Sequence, residues 1–219
     1  MTLQGRTVTV APLSAADAPA LFAAFRGADA MWDYMPVGPF ATEAELVRWI
    51  AEAETSEDPF FFSFTPVGES AAGFGSFLRI APEAGSIEVG FLAFSPRLQR
   101  SVAATEAMYL MMRWAFEAGY RRYEWKCDAL NAPSLRAAAR LGLSYEGVFR
   151  QATVVKGRNR DTAWFAAIDA EWPELERAFQ TWLDPANFHA VGRQKTSLRD
   201  LTRLILVAEA SVQIGTGSD

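Results

Sequence analysis

Hydrophobic and polar residues alternate in several short stretches of this chain, and in longer stretches the hydrophobic residues recur every three or four positions. Alternation, or a short apolar run, predicts strands, whereas the longer period predicts amphipathic helices. The predicted strands cover residues 6–12, 60–65, 72–80, 86–94, a stretch from 123, 144–154 and 161–168. The predicted helices cover residues 14–26, a stretch from 42, 102–118, a short stretch after 131, and 172–183.

The order of these elements indicates a mixed α/β fold whose first half is antiparallel. The two strands joined through the helix at 102–118 are expected to run parallel, with a right-handed crossover. One domain is predicted over residues 1–183, followed by a C-terminal tail over residues 184–219. An amphipathic helix is predicted in this tail, with an apolar stripe made of Leu198, Leu201, Leu204 and Ile205. It is expected either to pack back on the domain or to contribute to a homodimer, and residues 215–219 are expected to be frayed.

Composition and charge narrow the function classes. Half of the 219 residues are hydrophobic and 21% are charged, which is typical of a globular protein. The net charge is −5 and no dense run of Lys or Arg occurs, so neither a nucleic-acid nor a membrane partner is predicted. No apolar run is long enough to cross a bilayer. The single cysteine, Cys127, excludes a disulfide framework and favours a reducing, cytoplasmic location.

The histidine count excludes further chemistry. His189 is the only histidine and lies in the tail, which argues against a Ser-His-Asp or Cys-His hydrolase and against a His-rich zinc site. No metal is predicted. Any reaction must therefore depend on carboxylates, hydroxyls and backbone amides.

The most specific motif lies at a junction between a strand and a helix. After the strand that begins at Tyr123, Asn131 is a good helix N-cap and Pro133 fits the first helical turn. Gly142 stands where the helix should end. Asn131 and Ser134 are thus expected at the carboxyl end of a strand, where open α/β sheets tend to bind ligands.

Asn131-x-x-Ser134 followed by Arg140-Leu141-Gly142 resembles the GNAT superfamily of acyl-CoA N-acyltransferases, and within it the RimJ/RimL-like branch. The resemblance spans residues 6–183. It includes Asp33-Tyr34-Met35-Pro36, Ile87-Glu88-Val89-Gly90-Phe91, Ala104-Thr105-Glu106-Ala107 and Arg160-Asp161-Thr162-Ala163-Trp164. The resemblance implies a GNAT-like fold, a central, mostly antiparallel sheet with flanking helices and a splayed parallel strand pair that holds the pantetheine arm of acetyl-CoA. It also implies acyl transfer to a primary amine of a protein N-terminus or a small molecule.

Two residues are predicted to be catalytic. Alternation puts Glu88, Gly90 and Leu92 on one face of their strand, and a carboxylate there can accept the amine proton directly or through water. In the family a glutamate on this strand often lines the acceptor site. Ser134 is the family's candidate for assisting departure of the CoA thiolate. The alternatives are a solvated, cross-strand-paired Glu88 and a Ser134 that only satisfies the first helical turn.

The donor is predicted to bind at the turn before residue 102, whose backbone N–H groups and helix dipole favour a diphosphate. Val102 replaces the family's central glycine there, and Arg100 stands where this branch often has glycine; the alternative is a plain helix start capped by Ser101. The predicted acetyl-CoA-binding residues are Phe91, Leu92, Ala93, Phe94, Gln99, Arg100, Ser101, Val102, Ala103, Ala104, Thr105 and Asn131. Amides near Phe91 and Leu92 are expected to polarise the acyl carbonyl.

The predicted acceptor-binding residues are Trp32, Tyr34, Met35 and Asp161. In the family the loop that carries the first three covers the acceptor pocket. The alternative for Asp161 is a surface ion pair. Two other functions stay open from the sequence: a non-catalytic CoA-binding or regulatory module, suggested by the missing loop glycine, and transfer from a larger donor such as succinyl-CoA.

Overall fold

Eight strands form one sheet in the computed structural model, which describes residues 1–208. The strands are β1 (Leu3–Gln4), β2 (Val8–Pro12), β3 (Phe60–Pro66), β4 (Gly73–Ala81), β5 (Ser86–Phe94), β6 (Arg122–Asp128), β7 (Ser144–Val155) and β8 (Arg158–Ile168). The helices are α1 (Ala18–Phe25), α2 (Glu43–Glu54), α3 (Val102–Glu117), α4 (Ala132–Arg140), α5 (Trp172–Leu183) and α6 (Leu198–Thr202). Residues 209–219, which include the predicted frayed end, lie outside the described residues.

The sheet order is β1-β2-β3-β4-β5-β6-β8-β7. Every neighbouring pair is antiparallel except β5 and β6, which run parallel and are joined through α3. This arrangement confirms the predicted mixed α/β fold with one parallel strand pair.

The parallel pair separates part-way along its length. Pairing runs from Ser86 opposite Arg122 to Val89 opposite Trp125, while β5 continues to Phe94. A bulge in β5 accompanies the separation, because Ser76 of β4 faces Gly90 whereas Phe74 faces Ala93, so that β5 has one extra residue. The splayed pair expected from the family resemblance is therefore present.

The bulge corrects one prediction about side-chain direction. Strict alternation placed Leu92 on the same face of β5 as Glu88 and Gly90. In the structure Leu92 instead packs in the hydrophobic cluster on the other face of the sheet. The extra residue at the bulge reverses the alternation beyond it, and Phe91 takes a left-handed conformation with φ of 50°. A sequence pattern of period two carries no sign of such an insertion.

The core has two layers, one on each face of the sheet. Phe62 and Phe64 of β3 belong to the larger layer together with α3, α4, α5 and α6. Phe61, which precedes Phe62, belongs to the smaller layer with α1 and α2. The run of phenylalanines in β3 is apolar throughout because both faces of this strand are covered.

The tail packs back on the domain. Leu198 is buried in the larger layer, and Thr202 Oγ1 donates a hydrogen bond to the backbone carbonyl of Arg140 over 3.1 Å. The helix α6 ends at Thr202, so it is shorter than predicted, and Leu204 is 85% exposed rather than part of an apolar stripe. Within residues 1–208, no helix combines the length and apolarity that a bilayer crossing requires.

Candidate active site

A cavity of about 640 Å³ lies where β5 and β6 separate. Its floor comes from these two strands, and its walls come from the connection between α1 and α2 and from the β7–β8 hairpin. The predicted site residues that line it are Tyr34, Met35, Glu88, Phe91, Leu92, Asn131 and Ser134. The structure thus brings together residues from separate parts of the chain.

Glu88 lies on the floor of this cavity and is buried, with 3% of its surface exposed. Its Oε2 atom forms ion pairs with Arg79 Nη1 at 2.7 Å and with Lys126 Nζ at 2.8 Å. A Cβ atom at Gly90 would lie 3.7 Å from Glu88 Oε1 and 2.9 Å from Leu78, so the glycine keeps this side of the carboxylate open. Glu88 is therefore not a solvated strand residue, but it is paired across the sheet with cations of both neighbouring strands.

Lys126 links Glu88 to a second carboxylate. Its ammonium lies 2.7 Å from Glu124 Oε2 and 3.8 Å from the centre of the Trp164 ring, where a cation–π contact forms. Burial favours the neutral form of Glu124, but hydrogen bonds from Arg122 and Lys126 outweigh it and lower the pKa of Glu124. The result is an alternating set of charges that runs from Arg122 to the exposed Arg79, in which Lys126 and Glu88 are buried and Glu88 lines the cavity.

Ser134 and Asn131 meet at the start of α4. Asn131 Oδ1 accepts a hydrogen bond from the Ser134 backbone N–H at 3.2 Å, so Asn131 is the N-cap. Trp125 Nε1 donates to Ser134 Oγ at 3.0 Å, which leaves the serine O–H able to donate to another group. Burial raises the pKa of the neighbouring Cys127 thiol, which argues against a nucleophilic thiolate.

The turn before α3 keeps an open helix start. Ser101 Oγ donates to the Leu98 carbonyl at 2.7 Å and accepts from the Ala104 N–H at 3.0 Å, so this hydroxyl acts as a helix cap. Gln99 Nε2 donates to the Phe94 carbonyl at 2.8 Å. The first amides of a helix lack partners within it, and those of Val102 and Ala103 remain the donors for an anion here.

Other predicted donor-binding residues are buried around this helix start. Ala93, Ala103, Ala104 and Thr105 are buried, while Phe94 and Val102 are half-buried. Arg140 of α4 donates to Thr105 Oγ1 at 3.3 Å and brings a positive charge to the first turn of α3. Burial lowers the pKa of Arg140, which lacks a carboxylate partner among residues 1–208.

Arg100 has a left-handed backbone conformation, with φ of 58°, at the position where the resembling branch often has glycine. The turn therefore keeps a backbone geometry that favours glycine although a larger residue stands there. We predict that Arg100→Gly has a free energy of unfolding about 1 kcal/mol higher than Arg100→Ala, since both remove the guanidinium and only glycine relieves the strain. Urea denaturation of the two variants measures the difference, and equal stabilities would contradict it.

The connection between α1 and α2 closes one wall of the cavity. Tyr34 Oη donates to the Leu130 carbonyl at 3.2 Å, which ties this wall to the end of β6. Lys156, at the tip of the β7–β8 hairpin, donates to the carbonyls of Trp32 at 2.8 Å and Val37 at 3.2 Å. The two walls are thus joined by direct hydrogen bonds above the floor.

Two predicted acceptor-binding residues do not line the cavity. The Trp32 ring is 2% exposed and packs against Phe25 and Phe74, so it supports the wall from the core. Asp161 accepts hydrogen bonds from the Gln151 N–H and from Asn159, and these bonds lower its pKa. Side chains alternate along β8, so the residues on either side of Asp161 face the cavity and Asp161 itself does not.

Seven charged or aromatic residues that line the cavity were not predicted as site residues: Arg79, Trp125, Lys126, Asp128, Phe149, Arg160 and Trp164. Lys126 alternates with buried apolar residues on β6, and an isolated lysine on a strand is usually a surface residue. The signal that points to Lys126 is the strand register, because Lys126 of β6 lies opposite Trp164 of β8. Among residues 1–208, no group of three or more His, Cys, Asp or Glu side chains is arranged to hold a metal ion.

Comparison with known proteins identifies the family of this chain. The family model described as an acetyltransferase (GNAT) domain matches residues 7–144, which is more than half of the chain. The chain belongs to the GNAT family of acetyltransferases. The structure of a GCN5-related N-acetyltransferase from Brucella melitensis is 44% identical, covers 93% of this chain and 94% of its own, and superposes with a TM-score of 0.90.

Two more distant proteins are similar in sequence or in fold. The uncharacterized N-acetyltransferase YnaD of Bacillus subtilis (strain 168) is 24% identical over 154 residues, which are 64% of this chain and 90% of that protein. A Salmonella typhimurium acetyltransferase that modifies the N-terminal serine of ribosomal protein L7/L12 is 19% identical. It covers 77% of this chain and 99% of its own, with a TM-score of 0.67, and this likeness supports the fold. GNAT acetyltransferases use acetyl-CoA as co-substrate, so a donor and an amine are the ligands to be placed in the site.

Proposed function

We propose that this GNAT protein transfers an acetyl group from acetyl-CoA to a primary amine held in the cavity between β5, β6 and the β7–β8 hairpin. The observation that carries the proposal is the position of Glu88. Its carboxylate faces the cavity next to the point where the two strands separate. An amine and a thioester that meet there would both be within reach of the chain's candidate catalytic groups.

The donor fits the splayed strands and the start of α3. The separated ends of β5 and β6 leave strand amides available to an extended pantetheine arm, and Asn131 lies at the same edge. The unpaired first amides of α3 suit a diphosphate. Arg100 lies just before this helix and Arg140 contacts its first turn, so both add positive charge there. A non-catalytic module was suggested by the missing loop glycine. The left-handed conformation of Arg100 weakens that suggestion, because the turn keeps the backbone geometry that favours glycine.

Glu88 accepts the amine proton in this proposal. An amine must be deprotonated before it attacks a thioester, and a carboxylate within hydrogen-bond reach, directly or through one water, serves as the base. Both ion pairs of Glu88 are formed by Oε2, which leaves Oε1 for the amine or the water. Arg79 and Lys126 hold the carboxylate in place and are positioning residues.

Backbone amides at the β5 bulge stabilise the tetrahedral intermediate. The left-handed conformation of Phe91 breaks the regular pairing of β5 with β4, next to the point where pairing with β6 has also ended. Amides near Phe91 and Leu92 are therefore candidates for donation to the developing oxyanion. No side chain is needed for this role.

Ser134 donates a hydrogen bond to the departing thiolate. The bond that Trp125 Nε1 donates to Ser134 Oγ polarises the hydroxyl and favours donation of its proton to a neighbouring anion. We predict that Ser134→Ala lowers kcat about 10- to 100-fold, the worth of one hydrogen bond to a developing anion, while the Kd of acetyl-CoA changes less than about twofold. Steady-state kinetics and calorimetry give the two numbers.

The serine variant needs a control, because it also leaves the Trp125 indole N–H without its partner. Trp125→Phe removes the same hydrogen bond and keeps the hydroxyl, so it should lower kcat much less. If Ser134→Ala keeps full turnover, the serine has no role in thiolate departure.

The acceptor remains a class rather than a compound: a primary amine of a protein N-terminus or of a small molecule. The Salmonella neighbour acts on a protein N-terminus, and this supports the first possibility only through a shared fold. A cytoplasmic reaction fits the single, unpaired Cys127. The tail helix packs on its own domain.

Calorimetric titration of the protein with acetyl-CoA, and with CoA and succinyl-CoA for comparison, tests the donor assignment. We expect micromolar binding that is weaker in Arg100→Ala, Arg100→Gly and Asn131→Ala. Arg177→Ala, in an exposed ion pair of α5 with side chains more than half exposed, is the matched control and should bind normally. Absence of binding to all three ligands would refute the proposed function.

A further inference from the structure

One cation in the cavity has no ionic partner within residues 1–208. The charged side chains that line the cavity are Arg79, Glu88, Lys126, Asp128 and Arg160. Arg79 and Lys126 are both ion-paired with Glu88, and Lys126 also with Glu124. Arg160 forms no ion pair with any described residue, and its Nε atom is buried without a hydrogen-bond partner.

A second unpaired donor lies on the same strand. Trp164 Nε1 is buried and has no hydrogen-bond partner in residues 1–208. Arg160, Thr162 and Trp164 alternate along β8, so their side chains leave the strand on the cavity face. The Trp164 ring is held on this wall by the Lys126 ammonium at 3.8 Å and by the Phe149 ring at 4.6 Å between centroids.

A buried donor without an acceptor costs about 1–3 kcal/mol, so this wall gains most from a ligand that brings acceptor oxygens. The guanidinium has a flat, forked set of donors that matches a carboxylate. The other cavity cations are already paired, which leaves Arg160 as the charge that a ligand anion can neutralise. An uncharged acceptor would leave the positive charge of Arg160 without an anionic partner in a largely apolar wall.

We propose that the wall made of Arg160, Thr162 and Trp164 binds a carboxylate of one of the two substrates. This inference rests on the proposed acyl transfer in the same cavity. The carboxylate belongs either to the amine acceptor, as in a free amino acid or an acidic peptide, or to the acyl chain of a dicarboxylic donor such as succinyl-CoA. The chemistry at the wall is the same for both sources.

Calorimetry with matched probes separates the two sources. In the acceptor arm, N-acetyl-L-phenylalanine is compared with N-acetyl-L-phenylalaninamide, which differs only in the carboxylate; an aromatic product suits a cavity lined by Phe149 and Trp164. In the donor arm, succinyl-CoA is compared with butyryl-CoA, which has the same chain length. We expect the charged member to bind about 10- to 100-fold more tightly in one arm, as one charged hydrogen-bonded pair provides.

The preference should depend on the named wall. Arg160→Gln is expected to reduce the ratio of the two affinities to within about threefold, and Arg160→Lys to keep part of it, since it keeps the charge but not the fork. Trp164→Phe, which keeps an aromatic ring but removes the indole N–H, should reduce the ratio without removing it. Arg158→Gln is the control, because Arg158 is an exposed arginine of the same strand outside the cavity wall.

The proposal is overturned if the charged and neutral probes bind equally in both arms, if neither carboxylate probe binds, or if Arg160→Gln keeps the full preference. The acceptor probes are titrated into the protein with and without CoA, so the carboxylate preference is measured even if acetyl-CoA does not bind. Loss of acetyl-CoA binding would refute the proposed function, whereas normal acetyl-CoA binding without a carboxylate preference would refute only this inference.

Discussion

Replacing Glu88 with glutamine is expected to lower kcat by about 100-fold or more, the usual contribution of a general base. The carboxylate is buried at the cavity floor, and its Oε1 atom remains outside the ion pairs with Arg79 and Lys126. Glutamine keeps the shape of the side chain but cannot accept a proton from the amine. The Km of the amine should change little, because the loss falls on the transition state.

Glutamine is the informative substitution at this position. Glu88→Ala would remove a carboxylate from the buried ammonium of Lys126, and the resulting loss of stability would obscure the kinetics. Glu146→Gln is the matched control, since Glu146 is bound to Arg122 in the same charge network but lies outside the cavity wall. Equal turnover in Glu88→Gln and wild type would remove Glu88 from the mechanism.

Lys126→Met is expected to lower the free energy of unfolding by about 3–5 kcal/mol, the cost of removing one member of a buried ion-paired set. The Lys126 side chain is 6% exposed and bridges the carboxylates of Glu88 and Glu124. Methionine keeps the apolar stem against Trp164, so the loss reports the charge rather than a cavity. Urea denaturation measures it.

The stability lost in Lys126→Met should depend on pH. The pKa of Glu124 is lowered in the folded protein, because the hydrogen bonds from Arg122 and Lys126 outweigh the effect of burial. Its contribution to stability is therefore present above the unfolded pKa of a glutamate, near 4.5, and is lost as the pH falls through the folded value. The difference between wild type and Lys126→Met should accordingly be larger at pH 7 than in acid.

An exposed ion pair provides the comparison for this variant. Arg177 and Glu174 of α5 lie 3.6 Å apart with side chains 68% and 64% exposed, so Arg177→Met should change stability by less than about 0.5 kcal/mol. A loss in Lys126→Met that is as small as this would mean that the buried charges contribute little to the fold.

The sequence predicted the fold better than the site. The bounds of β5 and α5 match the structure at both ends, because Ser86–Phe94 has clear alternation before its bulge and Trp172–Leu183 has a regular apolar stripe. The parallel pair followed from one crossover helix. The separation of that pair was expected only through the family resemblance, since it depends on a bulge that the pattern of residue types does not reveal.

The site depended on contacts between distant segments, and this limited its prediction. Trp32 and Tyr34 looked equivalent in sequence, yet one ring is in the core and the other is on the cavity wall. Asp161 drew attention as a carboxylate, although the register of β8 turns Arg160 toward the cavity instead. Lys126 has its role only because three strands bring Glu88, Glu124 and Trp164 around it.

Mass spectrometry of a panel of primary amines incubated with acetyl-CoA and the protein tests acyl transfer most directly. The panel should include amino acids, polyamines, and peptides with free N-termini. We predict a product that gains one acetyl group in the presence of the wild-type protein, and its near absence with Glu88→Gln at equal protein concentration. Tight binding of acetyl-CoA without an acetylated product from any amine would contradict the account and favour a CoA-binding module.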